Sequence, residues 1–132
     1  MKKLGPIEEY VNTWVQEIET KPDWVVDRLQ LEWSSGAMDE IEKWAALPEI
    51  KCWKSAFVCL HELGHYFMDH SKDCQENGWS AKREIHHEIE ANDWAKEKWE
   101  ELLGELDPRI NDLVEEQLCE RLRQLMKQGE LK

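Results

Sequence analysis

The sequence predicts a mostly α-helical domain of the α+β class. Five stretches carry apolar residues at the three-four spacing of an amphipathic helix, and two short stretches alternate as a half-buried strand does. The two strands are expected to form a small β-sheet or hairpin. No Gly/Ser linker or low-complexity segment interrupts the 132 residues, so residues 1–132 are expected to form a single domain.

In the N-terminal half, the apolar pattern predicts two helices and two strands. The first helix is expected over about residues 6–19, with Pro6 at its first position, and the segment LQLEW at residues 29–33 is predicted as a strand. After a Ser-Ser-Gly turn, the spacing predicts a second helix from residue 37 to about residue 48. The segment EIKCW at residues 49–53 is predicted as the second strand.

In the C-terminal half, the pattern predicts three further helices. The third helix is expected over about residues 56–69, and the polar segment at residues 71–79 is predicted as a loop. Ser80 is suited to open a long fourth helix that ends near residue 103. A full amphipathic stripe predicts the last helix over about residues 108–129.

The chain contains eight tryptophans, which is many for its length, and large aromatic side chains supply much of the buried area of a core. Five of them recur at intervals of nine to eleven residues, although the residues between them share no pattern. We therefore interpret these five as core anchors and not as a repeat. They are Trp14, Trp24, Trp33, Trp44 and Trp53.

The charge and the cysteine usage narrow the classes of function. With 29 acidic and 17 basic residues, the formal net charge is -12, which argues against direct binding of nucleic acid or of an anionic membrane surface. Four cysteines without a CxxC pair indicate reduced thiols. Because the sequence also shows no leader and no apolar run long enough to cross a bilayer, we expect a cytoplasmic protein.

The segment HELGH, residues 61–65, carries the clearest chemical signal. Residues four apart lie on one face of a helix, so His61 and His65 can bind one ion, and Zn²⁺ suits imidazole ligands. Glu62 lies beside this face and could take a proton from a metal-activated water. The pattern therefore predicts two zinc ligands, His61 and His65, and a general base, Glu62.

A third ligand must come from another element of the chain. Asp69 would lie too far along the helix from His61, and Met68 stands where the metzincin pattern HExxHxxGxxH requires glycine. The remaining donors cluster in EIHHEIEANDWA at residues 84–95.

In that segment His86, Glu90 and Asp93 share one helix face, and Glu90 is its central member. We predict Glu90 as the third ligand, with His86 or His87 as alternatives, and an exposed charged face is a serious alternative interpretation of Glu88 and of Asp93 individually.

Two small residues would allow the helices that carry these donors to approach closely. They are Gly64 on the histidine helix and Ala91 beside Glu90.

HELGH followed about twenty-five residues later by EIEANDWA resembles the ImmA/IrrE-type metallopeptidases, a gluzincin-like group with the pattern HELGH and then ExEANxFA. The resemblance covers about residues 55–103. It implies a zincin-like fold, in which the HExxH helix packs on a second ligand-bearing helix beside a small sheet. It also implies zinc bound by His61, His65 and Glu90, with Glu62 as general base and Asn92 in a structural or supporting role.

The resemblance implies that the substrate is a protein or peptide, with limited proteolysis of a helix-turn-helix repressor as the usual task. Tyr66, His86 and His87 are candidates for stabilising the oxyanion. The alternative is a non-enzymatic acidic binding protein that uses a zincin scaffold to dock onto a basic or DNA-binding partner.

Overall fold

The computed structural model describes residues 4–29, 37–39 and 41–129. The described chain is mostly helical with a small three-stranded sheet, which confirms the α+β class. Within these residues, none of the helices combines the length and the apolar character that crossing a bilayer requires. The elements are α1 (Gly5–Glu19), β1 (Val25–Leu29), β2 (Ala37–Asp39), β3 (Trp44–Pro48), α2 (Trp53–Phe67), α3 (His70–Asn77), α4 (Ala81–Leu103) and α5 (Arg109–Lys127).

The sheet has the order β1-β3-β2. Its central strand, β3, lies in the segment predicted as the second helix. β1 runs parallel to β3 and β2 runs antiparallel to it. The prediction of a helix over residues 37–48 is therefore wrong. Ala45 and Leu47 are buried while Trp44 is 40% exposed, and this alternation is that of a strand. A turn before β3, with Lys43 at φ 62°, separates the two antiparallel strands.

The two predicted strands do not coincide with the observed ones. Residue 29 ends β1, and residues 30–33 of the segment LQLEW lie outside the described residues. The prediction for residues 49–53 is wrong, because Cys52 is the N-cap of α2 and Trp53 is its first residue. The Ser55 hydroxyl accepts a hydrogen bond from the Cys52 N–H at 3.1 Å and so favours helix initiation at this point.

The helices of the C-terminal half follow the prediction apart from one segment. Ser80 accepts a hydrogen bond from the Arg83 N–H at 3.1 Å and caps α4, which ends at Gly104 with φ 92°. The predicted loop at residues 71–79 is wrong, because α3 occupies most of it. Because the segment is polar, it lacks the apolar spacing from which a helix is predicted. The short helix α3 begins directly after Asp69, whose backbone has the left-handed conformation.

The core forms where α2 meets α1, β3 and α4, and α5 packs against α4. Buried apolar side chains come from each of these elements, among them Ile7, Leu47, Leu60, Trp99 and Ile110. Among the predicted tryptophan anchors, Trp14 is buried and contacts Trp24 edge to face, and Trp24 and Trp53 are partly buried against the core. The prediction is wrong for the exposed Trp44, and Trp33 lies outside the described residues. The buried side of α2 fixes this helix, and its other side carries the histidines.

Candidate metal centre

His61 and His65, the histidine pair, lie one turn apart on α2 and converge at their Nε2 atoms. These two atoms are 3.1 Å apart, and the rings meet edge to face. The orientation of α2 is set by the buried Leu60 and Leu63, which pack into the core. The histidine pair is thereby directed toward α4. The predicted juxtaposition of the two imidazoles is present in the fold.

Helix α4 crosses α2 at Gly64. A Cβ atom at residue 64 would lie 2.8 Å from the carbonyl oxygen of Ala91 and 3.1 Å from its Cα, so the two backbones are in direct contact. The close approach predicted from Gly64 and Ala91 is confirmed. It brings the side chains of α4 within reach of the histidine pair.

Glu88 is the carboxylate that reaches the histidine pair. Its Oε2 lies 3.0 Å from Nε2 of His61 and 2.8 Å from Nε2 of His65. The alternative of an exposed charged face thus describes Asp93, which is exposed, but not Glu88, whose carboxylate contacts both histidines. His61, His65 and Glu88 together present three ligand atoms at one point.

This arrangement shifts the pKa values of the groups in contact. Burial lowers the pKa of His61, but the hydrogen bond and the charge of Glu88 outweigh it and raise that pKa above its ordinary value. Burial raises the pKa of Glu88, but the hydrogen bonds from the two imidazoles hold it well below its ordinary range. The site thus favours positive charge beside the carboxylate, and a divalent cation would replace the protons of the imidazoles.

The donor set fits zinc. Ligands about 2.0–2.1 Å from a tetrahedral ion are separated from one another by about 3.3 Å. The three separations among the Nε2 atoms and Glu88 Oε2 are 2.8, 3.0 and 3.1 Å, so a small expansion would admit the ion. Three protein ligands leave one position open, as in catalytic sites. The side chains of His61 and His65 are 17% and 22% exposed, so the site is partly open to solvent.

The other nitrogen of each imidazole is held by the protein. His61 Nδ1 lies 2.7 Å from Asn92 Oδ1, and His65 Nδ1 lies 2.7 Å from His70 Nδ1. An amide oxygen only accepts, so His61 donates from Nδ1 and its neutral form keeps the Nε2 lone pair for a metal. The supporting role expected for Asn92 agrees with this contact, since Asn92 is buried and orients His61.

The predicted ligand Glu90 lies at a neighbouring cluster. Its Oε1 is 3.0 Å from Nε2 of His70, and its Oε2 is 3.6 Å from Nε2 of the exposed His86. His70 is buried, and burial together with the neighbouring His65 and His87 lowers its pKa to about 4 despite Glu90. The structure thus brings His61 and His65 together with Glu88 and separates Glu90 from their Nε2 atoms. Metal binding by Glu90 stays a prediction.

The alternatives to Glu90 and the oxyanion candidates occupy different surroundings. His87 is buried, stacks on His70 and hydrogen bonds to Asp73 at 2.6 Å. Tyr66 contacts Trp14 edge to face with ring centroids 5.2 Å apart. Their roles in oxyanion stabilisation stay predictions.

Glu62 follows His61 on the side of α2 toward the core and is 8% exposed. Burial raises the pKa of its carboxyl group, and the charges of His61 and His65 partly offset this effect. A raised pKa brings a carboxylate closer to neutral pH, where it is a more effective proton acceptor. The position suits a proton-transferring group beside the histidine pair.

Residues 54–98, about a third of the chain, match the Peptidase M78 family model, which is described as the IrrE N-terminal-like domain. The match spans both helices of the candidate site and confirms the resemblance drawn from HELGH and EIEANDWA. It supports a metallopeptidase-type function. Comparisons with curated proteins and with solved structures give no match.

Proposed function

We propose that the protein is a zinc-dependent peptidase that cleaves a regulatory protein, because residues 54–98 match the model of the IrrE N-terminal-like domain. The observation that carries the proposal is the convergence of His61 Nε2, His65 Nε2 and Glu88 Oε2 within 3.1 Å of one another. This donor set, with one coordination position open, is that of a catalytic zinc site.

Glu88 is the third ligand in this proposal, in place of Glu90. Its carboxylate contacts both imidazole Nε2 atoms, whereas the Glu90 carboxylate contacts His70 and His86. Zinc bound at this position would lower the pKa of a water molecule and polarise the carbonyl group of the substrate.

Glu62 acts as the general base. It accepts a proton from the water whose oxygen attacks the peptide carbonyl carbon, and it later transfers this proton to the leaving nitrogen as the C–N bond breaks. The second proton of the water remains on the carboxyl product, so the products are a carboxylic acid and an amine, which exchange this proton to become a carboxylate and an ammonium group at neutral pH. The raised pKa of Glu62 supports both proton transfers, since it brings the acid and base forms closer in free energy.

The substrate is a protein or peptide, and a DNA-binding repressor is the candidate that the family resemblance implies. The net charge of -12 suits this choice, because a surface that interacts with DNA phosphates is basic and would be attracted to an acidic peptidase. The same charge disfavours nucleic acid as a direct partner.

Elemental analysis of the purified protein tests the ligand set. We expect about one zinc per chain, lost in His61→Ala, His65→Ala and Glu88→Gln but retained in Glu90→Gln. The exposed carboxylate variant Asp93→Asn on the same helix is the matched control. A wild-type protein that binds no zinc would refute the proposal, and loss of zinc in Glu90→Gln but not in Glu88→Gln would assign the ligand to Glu90.

Cleavage of a fluorescence-quenched peptide library tests the chemistry. Glu62→Gln should keep its zinc and lose cleavage, because glutamine has a similar shape but cannot accept the proton. If Glu62→Gln cleaved as fast as the wild type, the assignment of the base would be wrong. If the wild type bound zinc, cleaved nothing, and kept its cellular effect as Glu62→Gln, the acidic binding protein would be the better description.

A further inference from the structure

A hydrogen-bonded chain with a buried histidine at its centre leads away from the candidate zinc ligand His65. His65 Nδ1 lies 2.7 Å from His70 Nδ1, and His70 Nε2 lies 3.0 Å from Glu90 Oε1. We name these three residues the relay. Asp69, in the left-handed conformation between α2 and α3, turns the chain so that the ring of His70 faces back to His65. His70 is 5% exposed, so water does not compete strongly for these contacts.

The proton positions in the relay follow from the requirement of the metal. Zinc binds a nitrogen lone pair, so with Nε2 of His65 as the ligand atom, Nδ1 of His65 carries the proton. That N–H donates to Nδ1 of His70, which must then be unprotonated. The remaining proton of His70 is on Nε2 and donates to the carboxylate of Glu90. One set of neutral tautomers therefore satisfies both hydrogen bonds and leaves the metal-binding lone pair free.

The stacking of His70 on His87 holds the plane of the His70 ring. The ring centroids are 4.1 Å apart with an interplanar angle of 12°, and His87 is held by its hydrogen bond to Asp73. Parallel stacked rings direct their lone pairs along parallel planes, which disfavours a shared ion between His70 and His87. The cluster of His70, His87 and Glu90 is thus better suited to orienting His65 than to binding a second metal.

We propose that His70 and Glu90 are positioning residues that set the tautomer and the ring orientation of His65 for zinc. This inference rests on the proposed function, since it assumes that His65 is a zinc ligand. Outer hydrogen-bond partners of this kind typically change metal affinity by about 10–100-fold. The proposal gives Glu90 a function at the site without placing it on the ion.

The zinc dissociation constant, measured by competition with a chelator, tests the proposal. His70→Leu removes the acceptor for His65 and should weaken zinc binding by about 10–100-fold, whereas His70→Asn supplies an amide oxygen as acceptor and should recover most of the affinity. Glu90→Leu should weaken binding to a smaller extent, because it acts through His70. The same substitution at the exposed Asp93, Asp93→Leu, should leave the affinity unchanged.

A spectroscopic readout separates positioning from a general loss of structure. In the zinc-loaded wild type, ¹H NMR should show a slowly exchanging Nδ1–H proton of His65, and this protection should be lost in His70→Leu and restored in His70→Asn. Circular dichroism confirms that each variant is folded.

If folded His70→Leu bound zinc as tightly as the wild type, the positioning role would be overturned while the proposed peptidase site would stand. If the wild type bound no zinc, the proposed function and this inference would both fall.

Discussion

The contact between α2 and α4 at Gly64 predicts a measurable effect of one added methyl group. In Gly64→Ala, the new Cβ would lie 2.8 Å from the Ala91 carbonyl oxygen and 3.3 Å from the Ala91 carbonyl carbon. Relaxed contacts between such atoms are about 3.5 Å, so the helices must separate by roughly 0.5 Å. Both partners are backbone, so a side-chain rotation cannot relieve the overlap.

The expected free-energy change is the sum of two opposing terms. Overpacking costs about 1–3 kcal/mol, and the better helix propensity of alanine returns about 1 kcal/mol. We expect a net destabilisation of about 1 kcal/mol, seen as a fall in Tm of roughly 2–6 °C. Zinc binding should weaken more clearly, by about tenfold, because the separation moves Glu88 away from the histidine pair and a site tolerates only about 0.5 Å of displacement.

Thermal unfolding and chelator competition measure the two effects, with Gly5→Ala as the matched control. Gly5 lies at the start of α1, and no atom of the described residues lies within 4 Å of its added Cβ, so its variant should differ from the wild type by less than about 0.5 kcal/mol. Adding Ala91→Gly should not rescue Gly64→Ala, because the atoms in conflict are present in glycine as well. A Gly64→Ala variant with wild-type stability and zinc affinity would refute the close packing.

Two further predictions concern contacts on α4. Asn92→Leu removes the acceptor that holds Nδ1 of His61 and should weaken zinc binding by about 10–100-fold in chelator competition. Asn92→Asp keeps an acceptor and should bind zinc at least as tightly as the wild type. An Asn92→Leu variant with the zinc affinity of the wild type would contradict this role. Glu84 pairs with Arg121 of α5, and this hydrogen bond is the main cause of the lowered pKa of Glu84. The pair therefore stabilises the fold at neutral pH, and this stabilisation is lost as the pH falls below about 4 and Glu84 becomes protonated. A double-mutant cycle of Glu84→Gln and Arg121→Gln in urea should give a coupling of about 0.5–1 kcal/mol at pH 7 and less at pH 3, and a coupling that grows in acid would contradict the assignment.

Long helices with clear caps could be predicted from the sequence because their signals are local. The Ser80 cap, the Gly104 stop and the apolar stripe of α4 depend on residues within one or two turns, and the structure confirms them. The segment from Ala37 to Pro48 could not be predicted in this way. Its apolar residues fit a helix face, but pairing of β3 with strands on both sides satisfies its backbone and buries Ala45 and Leu47. The strands that pair with β3 lie outside the stretch of residues in which a helical spacing is read, so that spacing does not reveal them.

The histidines of the candidate site could also be predicted from a local signal. The four-residue spacing of His61 and His65 is local to one helix, and the structure brings their Nε2 atoms together as predicted. The carboxylate comes from another helix, so its choice depends on the rotation of α4 about its axis. A polar face alone does not fix that rotation.

The rotation of α4 could have been read from its small and buried residues. Ala91 meets Gly64, and Asn92 reaches His61, so the side of α4 near residues 91 and 92 faces α2. Residue 88 precedes residue 92 by one turn and lies on this side, whereas residue 90 lies about 200° around the helix from residue 88. Glu88 therefore meets the Nε2 side of the histidine pair, and Glu90 can reach His65 only through His70. The two carboxylates thus lie toward opposite nitrogens of His65: Glu88 contacts its Nε2 directly, and Glu90 contacts His70, which in turn contacts its Nδ1.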